Sequence, residues 1–293
     1  MKARVALLVA SFALFVAATT PPPPPPEPII EFRRTSVASH FDPGRASSPL
    51  FVLVIGSDVR EGNPRAGRAD SLHLVAIDPN LGRGTIVGFP RDSYVPIPGL
   101  GTSKINASLS SGGPERTVQT VSQLVGVPIH YWALVDFSRF RQLVDAVGGL
   151  EIDVPYAMAD RFSGAFFEPG PRQMNGTEVL AFSRNRMTVP GGDFGRSFNH
   201  GRVLLAALSK FRQEAGSPLR LASYLVAFHN LVESNVPTRE LLSVAAIARR
   251  IDPAKVENLV LPGGGGSAGG ASVVLLAPGA QEIFAEIRDD AVR

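Results

Sequence analysis

Arginines and aspartates gather beside glycines and prolines in four stretches of this sequence, residues 56–60, 68–70, 89–93 and 184–202. The last stretch holds four arginines against the single acid Asp193, a local charge of 4 − 1 = +3 that equals the formal charge of the whole chain. Guanidinium groups bind phosphate oxygens in a bidentate way and stabilise charge that develops in phosphoryl transfer. The pattern therefore predicts an anion site, although any single Arg–Asp neighbour pair is more often a surface ion pair.

Two aspartates stand in the first two stretches and cannot bind phosphate directly. Asp58 follows an apolar run and Asp70 precedes another. Their carboxylates could hold a magnesium ion, which takes one or two carboxylates together with waters and substrate phosphates. Arginines beside such a site recur in phosphoryl chemistry. A helix N-cap would also explain Asp58, because aspartate often occupies that position.

Two arginines of the fourth stretch, Arg184 and Arg186, are two residues apart. On an extended chain they would point the same way. Two histidines elsewhere, His73 in a strand pattern and His229 in a helical one, are predicted to be structural. The sequence contains no HExxH or Walker A motif, so the signatures of that class of metallohydrolase and of P-loop nucleotidases are absent.

The composition limits the partners. The 293 residues carry 29 Lys and Arg against 26 Asp and Glu, and without Lys2 and Arg4 the balance is 27 − 26 = +1. A nearly neutral chain is a poor candidate for nucleic-acid binding, so we expect no nucleic-acid partner. The absence of cysteine excludes thiol nucleophiles, iron–sulfur clusters, Cys-zinc sites and disulfides.

The charged stretches alternate with segments that look like strands and helices. This mixture predicts one α/β domain over 51–293, with a central mixed sheet between helices. In open α/β sheets, ligands bind at the carboxyl ends of strands, where the first and third stretches lie. Residues 263–270, rich in glycine, are interpreted as a flexible loop. The segments read as strands are 51–55, 72–77, 85–89, 131–135, 150–154 and 273–276, and those read as helices are 114–125, 137–147, 177–183, 202–212, 237–250 and 281–288.

The first 50 residues have a different character. Residues 1–20 begin with a short basic segment and continue as an apolar run, which predicts a signal peptide or an uncleaved membrane anchor. Residues 21–50 form a proline-rich linker that begins with six consecutive prolines and favours polyproline II. Both interpretations of the leader place the folded part outside the cytoplasm, at the extracytoplasmic face of a bacterial membrane or exported to the envelope.

Seven sequence blocks, in order between Phe51 and Leu208, resemble the LytR-CpsA-Psr proteins, which attach glycopolymers to bacterial cell walls. Each block alone would be weak, but seven in the same order form a specific match. The blocks are VIGSDVR (54–60), RADSLHLVAIDP (68–79), VGFPRDSYVPIPG (87–99), KINASLSSGGP (104–114), VDAVGGLEIDVP (144–155), MNGTEVLAFSRNR (174–186) and GDFGRSFNHGRVLLAAL (192–208).

The resemblance implies an α/β/α sandwich with a hydrophobic pocket for a polyprenyl tail. It implies a magnesium-dependent phosphotransferase that moves a glycopolymer phosphate from a polyprenyl-pyrophosphate carrier to peptidoglycan. Such an enzyme would meet the membrane through its N-terminal segment or through the lipid substrate. Site residues carried over from matching positions are Asp58 and Asp70 for magnesium, Arg91 of the Pro-Arg-Asp motif, and Arg184, Arg186 and Arg196 for the pyrophosphate.

The match departs from the family at two positions. Asn199 and His200 stand where the family usually has an Arg-Gln pair. We expect His200 to donate to a phosphate oxygen in place of the glutamine and to become cationic at low pH. Asp92 is a possible base for the acceptor hydroxyl, and it is equally well explained as a structural partner for Arg91. Two other functions stay open: a polyprenyl-pyrophosphate pyrophosphatase, and a non-catalytic lipid- or glycan-binding protein.

Overall fold

The computed structural model describes residues 49–290. The predicted leader, residues 1–20, and all of the linker 21–50 except its last two residues lie outside this range. Within it, no helix combines the length and apolar character needed to cross a membrane.

A six-stranded mixed sheet forms the centre, in the order β11-β6-β1-β2-β3-β12. The pairs β1–β6 and β3–β12 are parallel, and the other three pairs are antiparallel. Residues 79–82 turn β2 back as β3, as the sequence predicts. The six strands are β1 (Leu50–Ser57), β2 (Ala69–Asp78), β3 (Arg83–Gly88), β6 (Tyr131–Val135), β11 (Glu233–Ser234) and β12 (Val256–Val260).

Among residues 49–290, seven α-helices surround the sheet, and several begin or end at residues that explain their boundaries. Asp136 caps the second helix by accepting from the amide of Arg139. Asn175 and Glu178 form a capping box at the start of the third. The helices are α1 (Ala107–Val125), α2 (Phe137–Ala146), α3 (Gly176–Arg184), α4 (Asp193–Glu214), α5 (Pro218–Leu231), α6 (Leu241–Arg250) and α7 (Gly279–Asp290).

Four antiparallel two-stranded units lie outside the central sheet. One of them corrects a sequence interpretation: Gly263–Ala268 is a strand paired with Ala271–Leu276, and only Gly269 and Gly270 form the turn. Backbone pairing supplies the order that the glycine side chains cannot. The units are β4 (Tyr94–Ile97) with β5 (Gly101–Lys104), β7 (Leu150–Val154) with β10 (Gly170–Met174), β8 (Met158–Asp160) with β9 (Ala165–Phe167), and β13 (Gly263–Ala268) with β14 (Ala271–Leu276).

The two faces of the sheet are covered by different helices. Alternate residues of β1, among them Leu53 and Ile55, pack with α1 and α7 in one large buried cluster. A second cluster lies away from it and joins α2, α3 and α4 to the outer strands β7–β10. Helices on both faces of a mixed sheet confirm the predicted α/β architecture, which is also that of a layered sandwich.

Most predicted elements are confirmed, and the differences are at boundaries. The helix predicted over 202–212 begins earlier, at Asp193, because Gly192 leads directly into the first turn. The helix predicted over 114–125 continues a turn that starts at Ala107, with non-helical angles at Gly112 and Gly113 between them. The sequence interpretation had no helix over 218–231, where α5 lies.

Candidate functional site

The position of Asp70 depends on an irregularity in the pairing of β1 with β2. Gly56 pairs with Ser71 and Ser57 pairs with Ala69, so Asp70 is an extra residue on its strand. Such a β-bulge redirects a side chain without interrupting the sheet, and bulges are frequent beside active sites. The bulge gives Asp70 contacts to two arginines that come from separate parts of the chain.

Four side chains make a compact cluster at this end of the sheet. Arg91, which follows β3, donates from Nη1 to Oδ1 of Asp70 at 2.5 Å. Arg196 of α4 lies 2.7 Å from Oδ1 of Asp193 and 3.8 Å from Oδ2 of Asp70. Asp193 also lies 4.0 Å from Nε of Arg91. The structure thus joins the second, third and fourth charged stretches of the sequence in one alternating ionic network.

The surroundings raise the pKa of Arg91 and lower the pKa of Arg196. Burial acts to lower the pKa of Arg91, but the carboxylates of Asp70, Asp193 and Asp92 raise it above the usual value. Burial lowers the pKa of Arg196, and the nearby positive charges of Arg91 and Arg186 lower it further against its two aspartates. An added anion would relieve the repulsion between these arginines.

Two donors of the network lack an acceptor. The Nε–H groups of Arg91 and Arg196 are both buried, and neither makes a hydrogen bond within residues 49–290. A buried donor without a partner carries a desolvation cost that a bound oxygen atom would remove. These donors therefore favour an oxyanion beside the cluster.

Glycines fix the approach to α4. Gly191 and Gly192 have φ of 78° and 57°, in the left-handed region that glycine adopts without a steric penalty. At Gly195 a Cβ atom would lie 2.1 Å from the carbonyl oxygen of Pro190, so a side chain there would push the loop away. The first turn of α4, which carries Asp193 and Arg196, is held in place by this close packing.

Arg184 and Arg186 flank the end of α3 and are exposed. Arg184 is the last residue of the helix and lies over the ring of Phe137 at 5.2 Å. Arg186 lies beyond the helix, and its amide donates to Oδ2 of Asp160 at 3.4 Å. The extended conformation in which the two side chains would point the same way is not found, because the helix ends between the two residues. Both still belong to the site, since Arg184 lines its cavity and Arg186 acts on the charge of Arg196.

A partly open cavity lies beside the cluster, between the sheet and helices α2, α3 and α4. One part of its wall is polar and the other is apolar. The polar lining is Ser57, Asp70, Ser71, Asp136, Ser183, Arg184, Arg196 and His200. The apolar lining is Val54, Val135, Phe137, Phe140, Leu180, Val203 and Leu204, with Gly56 also at the wall. The cavity can accept a molecule that has an anionic head and an apolar tail.

His200 lies in the cavity wall but does not behave as the sequence predicts. Its Nε2 lies 2.7 Å from the carbonyl oxygen of Ser183, which can only accept, so Nε2 carries the proton. Burial, with smaller contributions from His73 and Arg196, holds the pKa of His200 well below its usual value. His200 is thus a neutral residue whose remaining nitrogen, Nδ1, is an acceptor, and the expectation of a phosphate donor that becomes cationic at mildly low pH is wrong.

The neighbouring replacement, Asn199, points elsewhere. Its amide donates to the hydroxyl of Tyr156 at 3.0 Å, and it is absent from the cavity wall. His73, predicted to be structural, meets His200 edge to face, with 5.5 Å between ring centroids and 66° between the ring planes. It contacts the carbonyl of Ser197 at 3.0 Å, so it joins β2 to α4.

Asp58 and Asp92 lie at the margin of the site. Asp58 is exposed, and its Oδ1 accepts from the amide of Arg68 at 2.8 Å. Asp92 pairs with Lys104 at 3.1 Å, so its direct ionic partner is not Arg91. Neither residue belongs to the cavity wall described above.

The carboxylates of Asp58 and Asp70 fit the donor chemistry of magnesium. The register of β1 and β2 places both at the same end of the strand pair. A Cβ atom at Gly67 would lie 2.7 Å from Oδ1 of Asp58, so glycine there leaves that carboxylate its space. Among the described residues no group of three or more His, Cys, Asp or Glu side chains could hold a metal. A magnesium ion takes one or two carboxylates and completes its coordination with waters and phosphate oxygens.

Several residues of the site were missed by sequence reasoning. Asp193 was seen as the single acid among four arginines, and its position three residues before Arg196 on a helix could have indicated the ion pair. Asp136, buried in the cavity wall, has only the sequence signal of an N-cap. Ser57 and Ser71 reach the wall through the strand register and carry no local signal.

The sequence and fold were then compared with known proteins. The LytR_cpsA_psr family model matches residues 29–288. The polyisoprenyl-teichoic acid–peptidoglycan teichoic acid transferase TagU of Bacillus subtilis is 35% identical over 191 residues, which cover 65% of this chain and 60% of TagU. The transferase of the same printed name, TagV, from that organism is 30% identical over 223 residues, which cover 73% of this chain and 57% of TagV.

Solved structures share the fold. The crystal structure of B. subtilis TagV has a TM-score of 0.73 at 26% identity, over 83% of this chain and 97% of that one. TagT bound to LI-WTA has a TM-score of 0.70 at 22% identity, over 86% and 94% of the two chains, and it supports the fold alone. The matched segments span about three fifths of the length of the curated relatives.

Proposed function

The chain belongs to the LytR_cpsA_psr family, and we propose that it is a phosphotransferase of cell-wall assembly. Its donor is a glycopolymer linked through a pyrophosphate to a polyprenyl carrier, and its acceptor is a hydroxyl of peptidoglycan. The transferase names of TagU and TagV support this class of donor and acceptor. The activity belongs at the extracytoplasmic face of the cell membrane, where both substrates meet.

One observation carries the proposal: an arginine cluster with unpartnered buried donors adjoins an apolar cavity. The Nε–H groups of Arg91 and Arg196 are ready to donate to an oxyanion, and Arg184 stands at the cavity wall. A pyrophosphate with a hydrocarbon tail uses both halves of this site. Its charged group would lie at the cluster and its tail among Phe137, Phe140 and Leu204.

The reaction requires little covalent participation by the protein. The acceptor oxygen forms a new bond to the phosphorus that bears the glycopolymer, the bond from that phosphorus to the bridging oxygen breaks, and polyprenyl phosphate leaves. The hydroxyl proton passes to a base or to water. Catalysis by this chain then consists of positioning and of stabilising negative charge on the oxygens of the transferred group.

The ionic network prepares the arginines for that task. Asp70 and Asp193 hold Arg91 and Arg196 close together before substrate arrives, so little reorganisation is needed when charge develops. Arg184 and Arg186 are exposed and can close on the outer phosphate oxygens. Asp70 is positioned by the β-bulge and in turn positions both buried arginines.

Magnesium fits this arrangement as a cofactor. Asp58 and Asp70 would hold the ion, with waters and phosphate oxygens as further ligands. When bound, it supplies Lewis-acid neutralisation of phosphate charge. Removal of divalent ions by a chelator is expected to abolish transfer and to leave the unfolding temperature of the substrate-free protein within about 2 °C, because the fold does not depend on a metal core.

A product assay tests the function. The purified protein is incubated with a short-chain polyprenyl-pyrophosphate-linked disaccharide, soluble peptidoglycan strands and magnesium, and products are identified by mass spectrometry. A phosphodiester between disaccharide and peptidoglycan is the expected product. Disaccharide phosphate with no adduct would instead establish a pyrophosphatase, and donor binding with no turnover at any magnesium concentration would establish a binding protein.

A variant separates the site from a contaminating activity. Arg91→Ala removes one unpartnered donor and is expected to abolish product formation. The matched control is Arg249→Ala, which removes an exposed arginine at the end of α6, outside the ionic network. Full activity of purified Arg91→Ala protein would contradict the proposed role of the cluster.

A further inference from the structure

The β8–β9 hairpin presents aromatic side chains to solvent beside the arginine site. Phe166 of β9 lies directly across from Ala159 of β8, on the outward side of the hairpin. Phe166 is 63% exposed, and Phe162 at the hairpin turn is 67% exposed. Large apolar side chains with such exposure cost free energy in water, and a group of them often marks a binding surface.

An open groove runs beside this hairpin. It is separate from the cavity of the ionic network and shares no lining residue with it. Its lining combines aromatic, proline and charged side chains: Met158, Ala159, Phe166, Phe167, Glu168, Pro169, Gly170, Pro171 and Arg172.

The hairpin is tied directly to the arginine site by Asp160. Its Oδ1 accepts from the amide of Phe162 at 2.9 Å, which shapes the turn. Its Oδ2 accepts from the amide of Arg186 at 3.4 Å. The exposed rings are thus held at a fixed position relative to a residue that belongs to the anion site.

Helix α3 separates the groove from the cavity. Leu180 and Arg184 of α3 line the cavity. Val179 and Phe182 of the same helix pack in the second core cluster with residues of both hairpin strands. The cavity and the hairpin therefore lie on different sides of α3, and Arg186 lies where the helix ends.

The charge of the hairpin segment excludes a strongly charged ligand. Residues 158–172 contain Arg161 and Arg172 against Asp160 and Glu168, a balance of 2 − 2 = 0. A neutral surface has no electrostatic preference for an anionic polymer. Exposed rings beside a carboxylate and a guanidinium instead suit sugars, which offer apolar C–H faces together with rows of hydroxyl groups.

We propose that this groove binds the sugar chain of the peptidoglycan acceptor, an inference that rests on the function proposed above. In an in-line displacement the attacking and leaving oxygens stand on opposite sides of phosphorus. The leaving polyprenyl phosphate departs toward the apolar cavity, so the acceptor hydroxyl arrives from the other side of the arginines. The hairpin and its groove lie across α3 from the cavity, and Asp160 links them to Arg186 at the end of that helix.

Two variants, one at Phe166 in the groove wall and one at Phe162 beside it in the hairpin turn, test this surface without touching the ionic network. Phe162→Ala and Phe166→Ala, singly and together, are assayed with peptidoglycan sugar strands from which the stem peptides have been removed. The double variant is expected to raise the KM for the strands about tenfold, equivalent to about 1.4 kcal/mol. The values of kcat and of KM for the lipid donor stay unchanged, and Phe166→Tyr restores most of the acceptor KM. Leu242→Ala on α6, an equally exposed apolar residue, is the matched control.

Direct binding of the same strands, measured by NMR titration, separates this proposal from the proposed function. Strand binding that the double variant loses, in a protein that forms no adduct, supports the groove and contradicts the transferase. Adduct formation with unchanged acceptor KM in the double variant overturns the groove and leaves the transferase intact. A rise in donor KM in place of acceptor KM overturns the assignment to the acceptor, and absence of strand binding by the unaltered protein overturns the groove.

Discussion

The two faces of the central sheet differ although they are built from the same strands. On the α1–α7 face, Leu53 and Ile55 of β1 are completely buried among apolar side chains. On the opposite face Val54 and Gly56 line a cavity and remain partly accessible. One face is packed as densely as a crystal of small molecules, which stabilises the fold. The other face has a cavity, buried hydrogen-bond donors without acceptors, and charged side chains held close together. This is the arrangement expected where a ligand completes the structure.

The largest expected effect comes from the exposed arginines of the open face. Arg184→Ala and Arg186→Ala are each expected to lower kcat/KM for transfer about a thousandfold, because each removes a cation from the transferred phosphate. The urea unfolding midpoint should not change, since neither residue is buried. Steady-state kinetics beside unfolding curves check this. A loss of stability that matches the loss of rate would contradict the division between the faces.

The packed face should show the reverse pattern. Leu53→Ala removes a completely buried side chain and is expected to lower the free energy of unfolding by about 3–4 kcal/mol. Activity per folded molecule should remain, because Leu53 faces away from the cavity. The neighbour Val54→Ala is the matched control on the same strand and should cost roughly 1 kcal/mol, since its side chain is only partly buried. Equal losses for the two variants would show that the faces are packed alike.

Acid should destabilise the protein through the histidines between β2 and α4. Burial lowers the pKa of His73 to about 4, so between pH 4 and the unfolded pKa near 6.5 the unfolded chain binds a proton that the folded chain does not. Stability is then complete above about pH 6.5 and falls as the pH drops toward 4, by roughly 3 kcal/mol from His73 alone. His200 shifts stability in the same direction.

Unfolding curves at about pH 7 and about pH 4.5 measure this effect. His73→Gln should flatten the dependence on pH, whereas His229→Gln, which alters an exposed histidine, should not. A pH dependence that is unchanged in His73→Gln would show that His73 is not the source of the acid sensitivity.

The smallest effect concerns the volume of the cavity. Leu180→Trp enlarges an apolar residue of the cavity wall and is expected to raise the KM for a long-tailed lipid donor about tenfold, or about 1.4 kcal/mol. Kinetics with donors of increasing tail length check it: the shortest tail should show the smallest change. An increase that does not depend on tail length would mean that the tail lies outside the cavity.

Sequence reasoning predicted those parts of the site that are encoded locally. The excess of arginine near Arg184 and Arg196 predicted the anion site, and periodic apolar runs predicted most strands and helices. It could not predict that Asp70 and Asp193 hold the same pair of arginines, because these residues are more than a hundred positions apart and meet only through the sheet. The β-bulge that directs Asp70 could not be predicted, because no turn-forming residue marks its position in the sequence.

Other failures arose where a local pattern is ambiguous. Gly263–Ala268 was read as a loop because glycine is disfavoured in strands, yet pairing with β14 orders it. His200 was expected to donate to phosphate because it stands where the family usually has a glutamine, but in the structure its Nε2 lies against the carbonyl of Ser183, a contact that the sequence does not signal. The role of Asp92 stays a prediction, and Lys104 is its partner in the structure.

The parallel pairing of β12 with β3 determines when the central sheet can be completed during synthesis of the chain. Val256 pairs with Gly84, so the two strands are separated by 256 − 84 = 172 residues. At about 5–20 residues synthesised per second, β3 waits roughly 9–34 s for this neighbour. Throughout that interval its free edge can recruit another chain, and Arg91, three residues beyond it, has no completed sheet behind it. A growing chain is therefore most vulnerable to wrong association, and still inactive, until its last quarter has been made.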